Sequence, residues 1–64
     1  MLKYQIIKYR DNIEIDSCGV YDDLFDAESM VYQFEEECEE NESYSIMELD
    51  YDYNTGEILS SKII

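Results

Sequence analysis

Histidine, tryptophan and proline are absent from this 64-residue chain; glycine and cysteine occur twice each, and only four residues are basic. Without histidine, no Ser–His or Cys–His pair can form to activate a nucleophile. Cys18 and Cys38 fit no metal-ligand spacing, and there is no imidazole to complete a zinc site with them. They are expected to be reduced and packed in or near a core, since two unrelated cysteines make no disulfide framework. Gly19 and Gly56 are too few and too far apart for a phosphate-cradling loop. No apolar run approaches the ~20 residues of a membrane span, and the start, MLKYQIIKYR, has no signal-peptide pattern. These absences lead us to expect a soluble cytoplasmic protein that is not an enzyme, holds no cofactor or metal and meets no membrane.

What is abundant is acid. Seventeen Asp and Glu against four Lys and Arg give a formal net charge of −13. Self-repulsion of that size destabilises a compact state, and it disfavours direct contact with nucleic acid. Disorder is the usual consequence of acidic composition, but 45% of the residues are apolar, and they recur with regular periods. One domain spanning 1–64, with one modest core, is all that this length allows.

The chain is organised around Asp22–Glu42, in which ten of 21 residues are acidic and none basic. Leu24, Ala27, Val31, Phe34 and Cys38 recur at steps of three and four, the inward face of an amphipathic helix, with Met30 and Tyr32 flanking it. Asp22 or Asp23 serves as N-cap. The opposite face carries Asp22, Asp26, Ser29, Gln33, Glu36, Glu37 and Glu40, and Asn41 closes the helix. Glu35-Glu36-Glu37 and Glu39-Glu40 in the last turns oppose the helix dipole and repel one another. A local rule broken without evident gain points to function.

Strands flank the helix. Leu2–Tyr9 and Ile13–Val20 are rich in β-formers and joined at Arg10-Asp11-Asn12. A three-residue loop sets Tyr9 opposite Ile13, Ile7 opposite Ile15 and Lys8 opposite Glu14, while Gly19 suits a bulge or exit bend. Ser43–Tyr53 alternates, and Asn54-Thr55-Gly56 turns it back into Glu57–Ile64, with Gly56 at positive φ. That hairpin pairs Tyr53 with Glu57, Tyr51 with Leu59, Met47 with Ile63, Glu48 with Lys62 and Ile46 with Ile64. The expected fold class is therefore α+β: ββαββ, a four-stranded antiparallel sheet in the order 2-1-3-4 with the helix on one face. The open face is expected to show Tyr4, Ile6, Tyr44, Ile46, Ile58 and Ile64, an apolar area that suits a homodimer or a partner.

Asp50-Tyr51-Asp52-Tyr53-Asn54-Thr55-Gly56 places oxygen ligands at alternate positions but departs from a calcium loop. Its glycine falls at position seven and Ser61 stands where a bidentate Glu belongs. Paired carboxylates for glycoside chemistry would need a concave pocket that so short a chain has little room to build.

Surface is what remains. Carboxylates at i,i+3 and i,i+4 lie ~5–6 Å apart, comparable to phosphates on a strand of DNA. The candidate contact acids are Asp22, Asp26, Glu36, Glu37 and Glu40 on the helix and Asp50, Asp52 and Glu57 on the second hairpin. Tyr44, Tyr51 and Tyr53, interleaved with them, are candidate anchors. In size, charge and compact α+β plan the chain resembles phage-encoded acidic inhibitors that mimic DNA; the likeness includes no motif. It implies a cytoplasmic inhibitor that occupies the DNA-binding surface of a basic host protein. A histone-like nucleoid protein is the first target to expect, then a restriction or CRISPR nuclease or a DNA glycosylase. The alternative is an interaction protein that meets a non-DNA surface, such as an RNA polymerase subunit, through its open sheet face. A third reading is a generic acidic domain that keeps its charge for solubility or for life at high salt.

Overall fold

The computed structural model describes all 64 residues. Four strands, β1 (Leu2–Arg10), β2 (Ile13–Tyr21), β3 (Glu42–Tyr51) and β4 (Ile58–Ile63), and one helix, α1 (Leu24–Glu37), follow in the order ββαββ. Every neighbouring pair of strands is antiparallel, and the sheet runs β2-β1-β3-β4. The fold class and strand order are those expected. The body is long and thin, 41 × 22 × 15 Å, with a radius of gyration of 12.4 Å, against about 11 Å for a compact chain of this length.

α1 starts where the sequence indicates, with the Asp23 carboxylate accepting from the Phe25 amide at 2.9 Å. It ends earlier than expected. Glu37 is its last residue and Cys38 is extended (φ −80°, ψ 158°), so Glu39 and Glu40 lie in the connection to β3 and Asn41 is no cap. The last turn of α1 contains no basic residue, and like charges at a negative dipole end disfavour further turns. The repulsion is tolerated at Glu35, Glu36 and Glu37 and disfavours an extension through Glu39 and Glu40.

The first hairpin corrects the expected register. Asp11 and Asn12 both take left-handed φ, 52° and 65°, which makes a two-residue turn whose twist matches the strands. Arg10 pairs with Ile13 and Tyr9 with Glu14; then Ile15 bulges, so that Lys8 pairs with Asp16 and Ile7 with Ser17. A second irregularity spans Cys18 and Gly19, where Gly19 has φ 113°, the bulge its position suggests. In the second hairpin Met47–Ile63 and Glu48–Lys62 pair as expected, but a bulge at Leu59 sets Tyr51 opposite Ile58. Beyond Tyr51 the Asp52 carboxylate accepts from the Asn54 amide at 2.8 Å and Gly56 turns at φ 75°. This Asx-type closure ends the ladder before Tyr53 can pair with Glu57.

The helix covers the face expected to be open. Ile6, Ala27 and Ile46 form the core, with Tyr4, Cys18, Tyr21, Leu24, Met30, Val31, Phe34 and Tyr44 packed around it. Ile6 and Ala27 are wholly inaccessible. Alanine at this point lets the helix approach the two isoleucines, while aromatic rings close the sides. Paired residues share a sheet face, so Ile7, Tyr9, Ser45, Met47, Leu49, Tyr51 and Ile58 make the open side. Ile58 alone of the six residues expected there is confirmed by pairing. Ile7 and Leu49 are buried even so, covered by their neighbours in the sheet.

Candidate functional site

Most of the acids collect at the two ends of the long body, joined by α1, while Glu28 and Glu48 lie between them. At one end the β1–β2 turn meets the connection after α1: the Asp11 amide donates to the Asn41 carbonyl at 2.8 Å. Asp11, Glu35, Glu36, Glu37, Glu39 and Glu40 are all exposed in this region. Glu42, at the start of β3, is the exception. Its side chain is only 6% exposed, and it accepts from Lys8 Nζ at 3.2 Å and an Arg10 guanidinium nitrogen at 2.9 Å. Its other oxygen accepts from the Glu39 amide at 3.1 Å. Arg10, then the Glu39 amide and Lys8, hold the Glu42 carboxyl down to about 2, and Glu42 in turn raises both bases. Two of the four bases therefore serve one inward carboxylate, and the surface acids around it have no ion pair.

At the other end, Asp22, Asp23 and Asp26 open the helix while Asp50, Asp52 and Glu57 belong to β3 and its hairpin. Leu2 pairs with Asp50 and Tyr4 with Tyr21 across β1, which sets these two groups two strands apart, about 10 Å. Several of the acids here have local partners. Lys3 binds Asp22, the Met1 ammonium lies 3.2 Å from Asp50, and Asp23 and Asp52 accept amides of their own turns.

The expected contact residues thus fall into two groups. Asp22, Asp26, Asp50, Asp52 and Glu57 share one end; Glu36, Glu37 and Glu40 share the other, about 20 Å away along a 14-residue helix. Of the seventeen acids, three (Asp22, Glu42 and Asp50) are in ion pairs, leaving fourteen without one. The tyrosines divide as well. Tyr44 stacks on Phe34 with ring centroids 5.4 Å apart, under Lys8 at 5.8 Å, and so belongs to the packing beneath the helix. Tyr51 is half-buried on the open sheet face, and Tyr53 is fully displayed in the hairpin.

Two aromatic residues escaped the sequence reading. Phe25 is 72% exposed and Tyr32, expected beside the apolar seam, is 74% exposed. With Glu28 and Ser29 they line a shallow depression of about 340 Å³. Positions 25, 28, 29 and 32 follow the i, i+3, i+4, i+7 rule. This second helical stripe, opposite the core, is legible in the sequence as the weaker of two apolar periodicities.

Both cysteines are free and half-buried, and burial pushes the Cys18 thiol up, away from reactive thiolate. No three His, Cys, Asp or Glu side chains are grouped to hold a metal ion, and no helix is long and apolar enough to cross a membrane. The arrangement offers unpaired charge and two exposed rings on one helix. No family, curated protein or solved structure matches the chain.

Proposed function

We propose that this protein is an acidic DNA-mimicking inhibitor that occupies the DNA-binding surface of a basic protein in the cytoplasm. The first target to try is a histone-like nucleoid protein, followed by restriction or CRISPR nucleases and DNA glycosylases. One observation carries the reading: fourteen carboxylates without an ion pair are borne by a body 41 Å long. That length matches about twelve steps of duplex at ~3.4 Å each. Arginines and lysines in a groove that grips phosphates would pair with such carboxylates in the same way, and the long-range field would speed encounter. In this reading the protein acts by binding, and its carboxylates serve as charge and not as catalytic groups.

Capture from a bacterial lysate at low salt, followed by a salt gradient and competition with duplex DNA, tests the proposal. A basic DNA-binding protein should be retained, elute steeply with salt and be displaced by duplex.

A second reading is favoured by the sheet face that α1 leaves uncovered. Exposed Val20, Ile58 and Ile63 surround half-buried Met47 and Tyr51 there. A non-DNA surface, such as that of an RNA polymerase subunit, or a second copy of this chain would bury it. Retention that ignores salt and duplex DNA would select this reading.

A further inference from the structure

We infer that the outward stripe of α1 seats an arginine side chain of the partner, its guanidinium stacked on the ring of Phe25 or of Tyr32 and paired with Glu28 between them. This rests on the reading above, that the partner is a basic protein, and names the contact that charge alone does not.

Phe25 and Tyr32 stand two turns apart, about 10 Å along the axis, on the side of α1 directly away from Ile6 and Ile46. Neither ring has a role in the core: each is nearly three-quarters exposed, and the depression between them is lined only by Glu28 and Ser29. Glu28 is three residues from Phe25 and four from Tyr32, so its carboxylate lies on the same patch as both rings. Ser29 Oγ donates to the Phe25 carbonyl at 3.0 Å, which leaves its lone pairs to accept. Glu35 and Glu36 continue the acid border one turn beyond Tyr32. The patch therefore offers two flat π-faces and a set of acceptors, all at negative potential.

A guanidinium is the complement of that set. It is planar, always charged, carries five N–H donors and no acceptor, stacks on aromatic rings and meets a carboxylate in bidentate fashion. A lysine ammonium would gain the charge but not the stacking or the fork. None of the protein's own bases fills the patch: Lys3 is held by Asp22, Lys8 and Arg10 by Glu42, and Lys62 stands in β4 opposite Glu48. The DNA-like field draws any basic surface toward the molecule, whereas this stripe discriminates among the bases that arrive.

The test uses two synthetic peptides of equal length and charge, one with arginine at every basic position and one with lysine, titrated against the intact protein at low salt. The arginine peptide should bind about two- to fivefold more tightly, the range that stacking on one exposed ring supports. The double variant Phe25→Leu with Tyr32→Leu keeps apolar area but removes the rings. It should abolish the preference by weakening the arginine peptide more than the lysine peptide, with the far-ultraviolet circular dichroism of the parent. Equal affinities in the parent protein, or a preference that survives loss of both rings, overturns the stripe while leaving the charge-based reading standing. If neither peptide binds even at low salt, the proposed function falls and the stripe with it.

Discussion

The two long faces of α1 answer to different pressures. The inward face is small and apolar: Ala27 is fully enclosed against Ile6 and Ile46, and Leu24, Val31 and Phe34 pack beside it. The outward face carries two exposed aromatic rings among unpaired carboxylates, with Glu35, Glu36 and Glu37 crowded into the last turn. The two rings make no core contact there, and the last-turn acids raise the free energy of the fold. One face of a single helix is explained by folding and the other is not. The outward face is therefore where a partner should be sought.

The largest effect should come from the inward side. Ile6→Ala should cost roughly 2–5 kcal/mol by cavity formation, against about 3–10 kcal/mol for a whole domain of this size. Urea or thermal melts should show a mostly unfolded or barely folded chain. A midpoint like the parent's would mean that the core lies elsewhere.

Next comes Glu42, the one acid near the outward cluster that folding does use. Glu42→Gln leaves Lys8 and Arg10 without their carboxylate and should lower the melting midpoint at neutral pH. Its carboxyl is held at about 2 against an ordinary 4.5, so its pairing stabilises the folded state fully above about pH 4.5. That contribution fades as pH falls from there toward 2. Melting parent and variant in parallel should show a gap that closes over this acid window. A gap independent of pH would contradict the ion-pair assignment.

Replacing Glu35, Glu36 and Glu37 together by Gln should do the reverse and stabilise the protein by about 1–2 kcal/mol at low salt. The gain should shrink as salt rises. The same variant should retain less of its partner on capture, so stability and binding would move in opposite directions. Smallest of all, Phe25→Ala with Tyr32→Ala should shift stability by no more than ~0.5 kcal/mol. A larger loss would place those rings in the fold after all.

Element order was legible because β-forming runs flank one stretch with a 3.6 period, and strand order because the connection rules leave 2-1-3-4 without crossing loops. The covered sheet face was not. Along β1 and β3 both alternate stripes are apolar, Tyr4 and Ile6 with Tyr44 and Ile46 on one, Ile7 with Met47 and Leu49 on the other, and parity cannot choose between them. The first turn was misjudged because a two-residue loop seemed to set Lys8 beside Ile15, and the bulge at Ile15 removes that conflict. The helix end was placed too late although the repulsion that stops it was visible in the run of glutamates. Of the acids read as surface groups, those on the helix are exposed while Asp50 and Asp52 are half-buried, and their division between two ends depends on the pairing of β1 with both β2 and β3, which no local pattern reveals.

The central claim is that fixed carboxylates stand in for nucleic acid phosphates, and displacement by duplex DNA reaches it most directly. A basic protein captured on the immobilised chain at low salt should be released by added duplex in proportion to its affinity for that duplex, and by salt with a steep slope. Retention undiminished by saturating duplex would contradict the claim and turn attention to the uncovered face of the sheet.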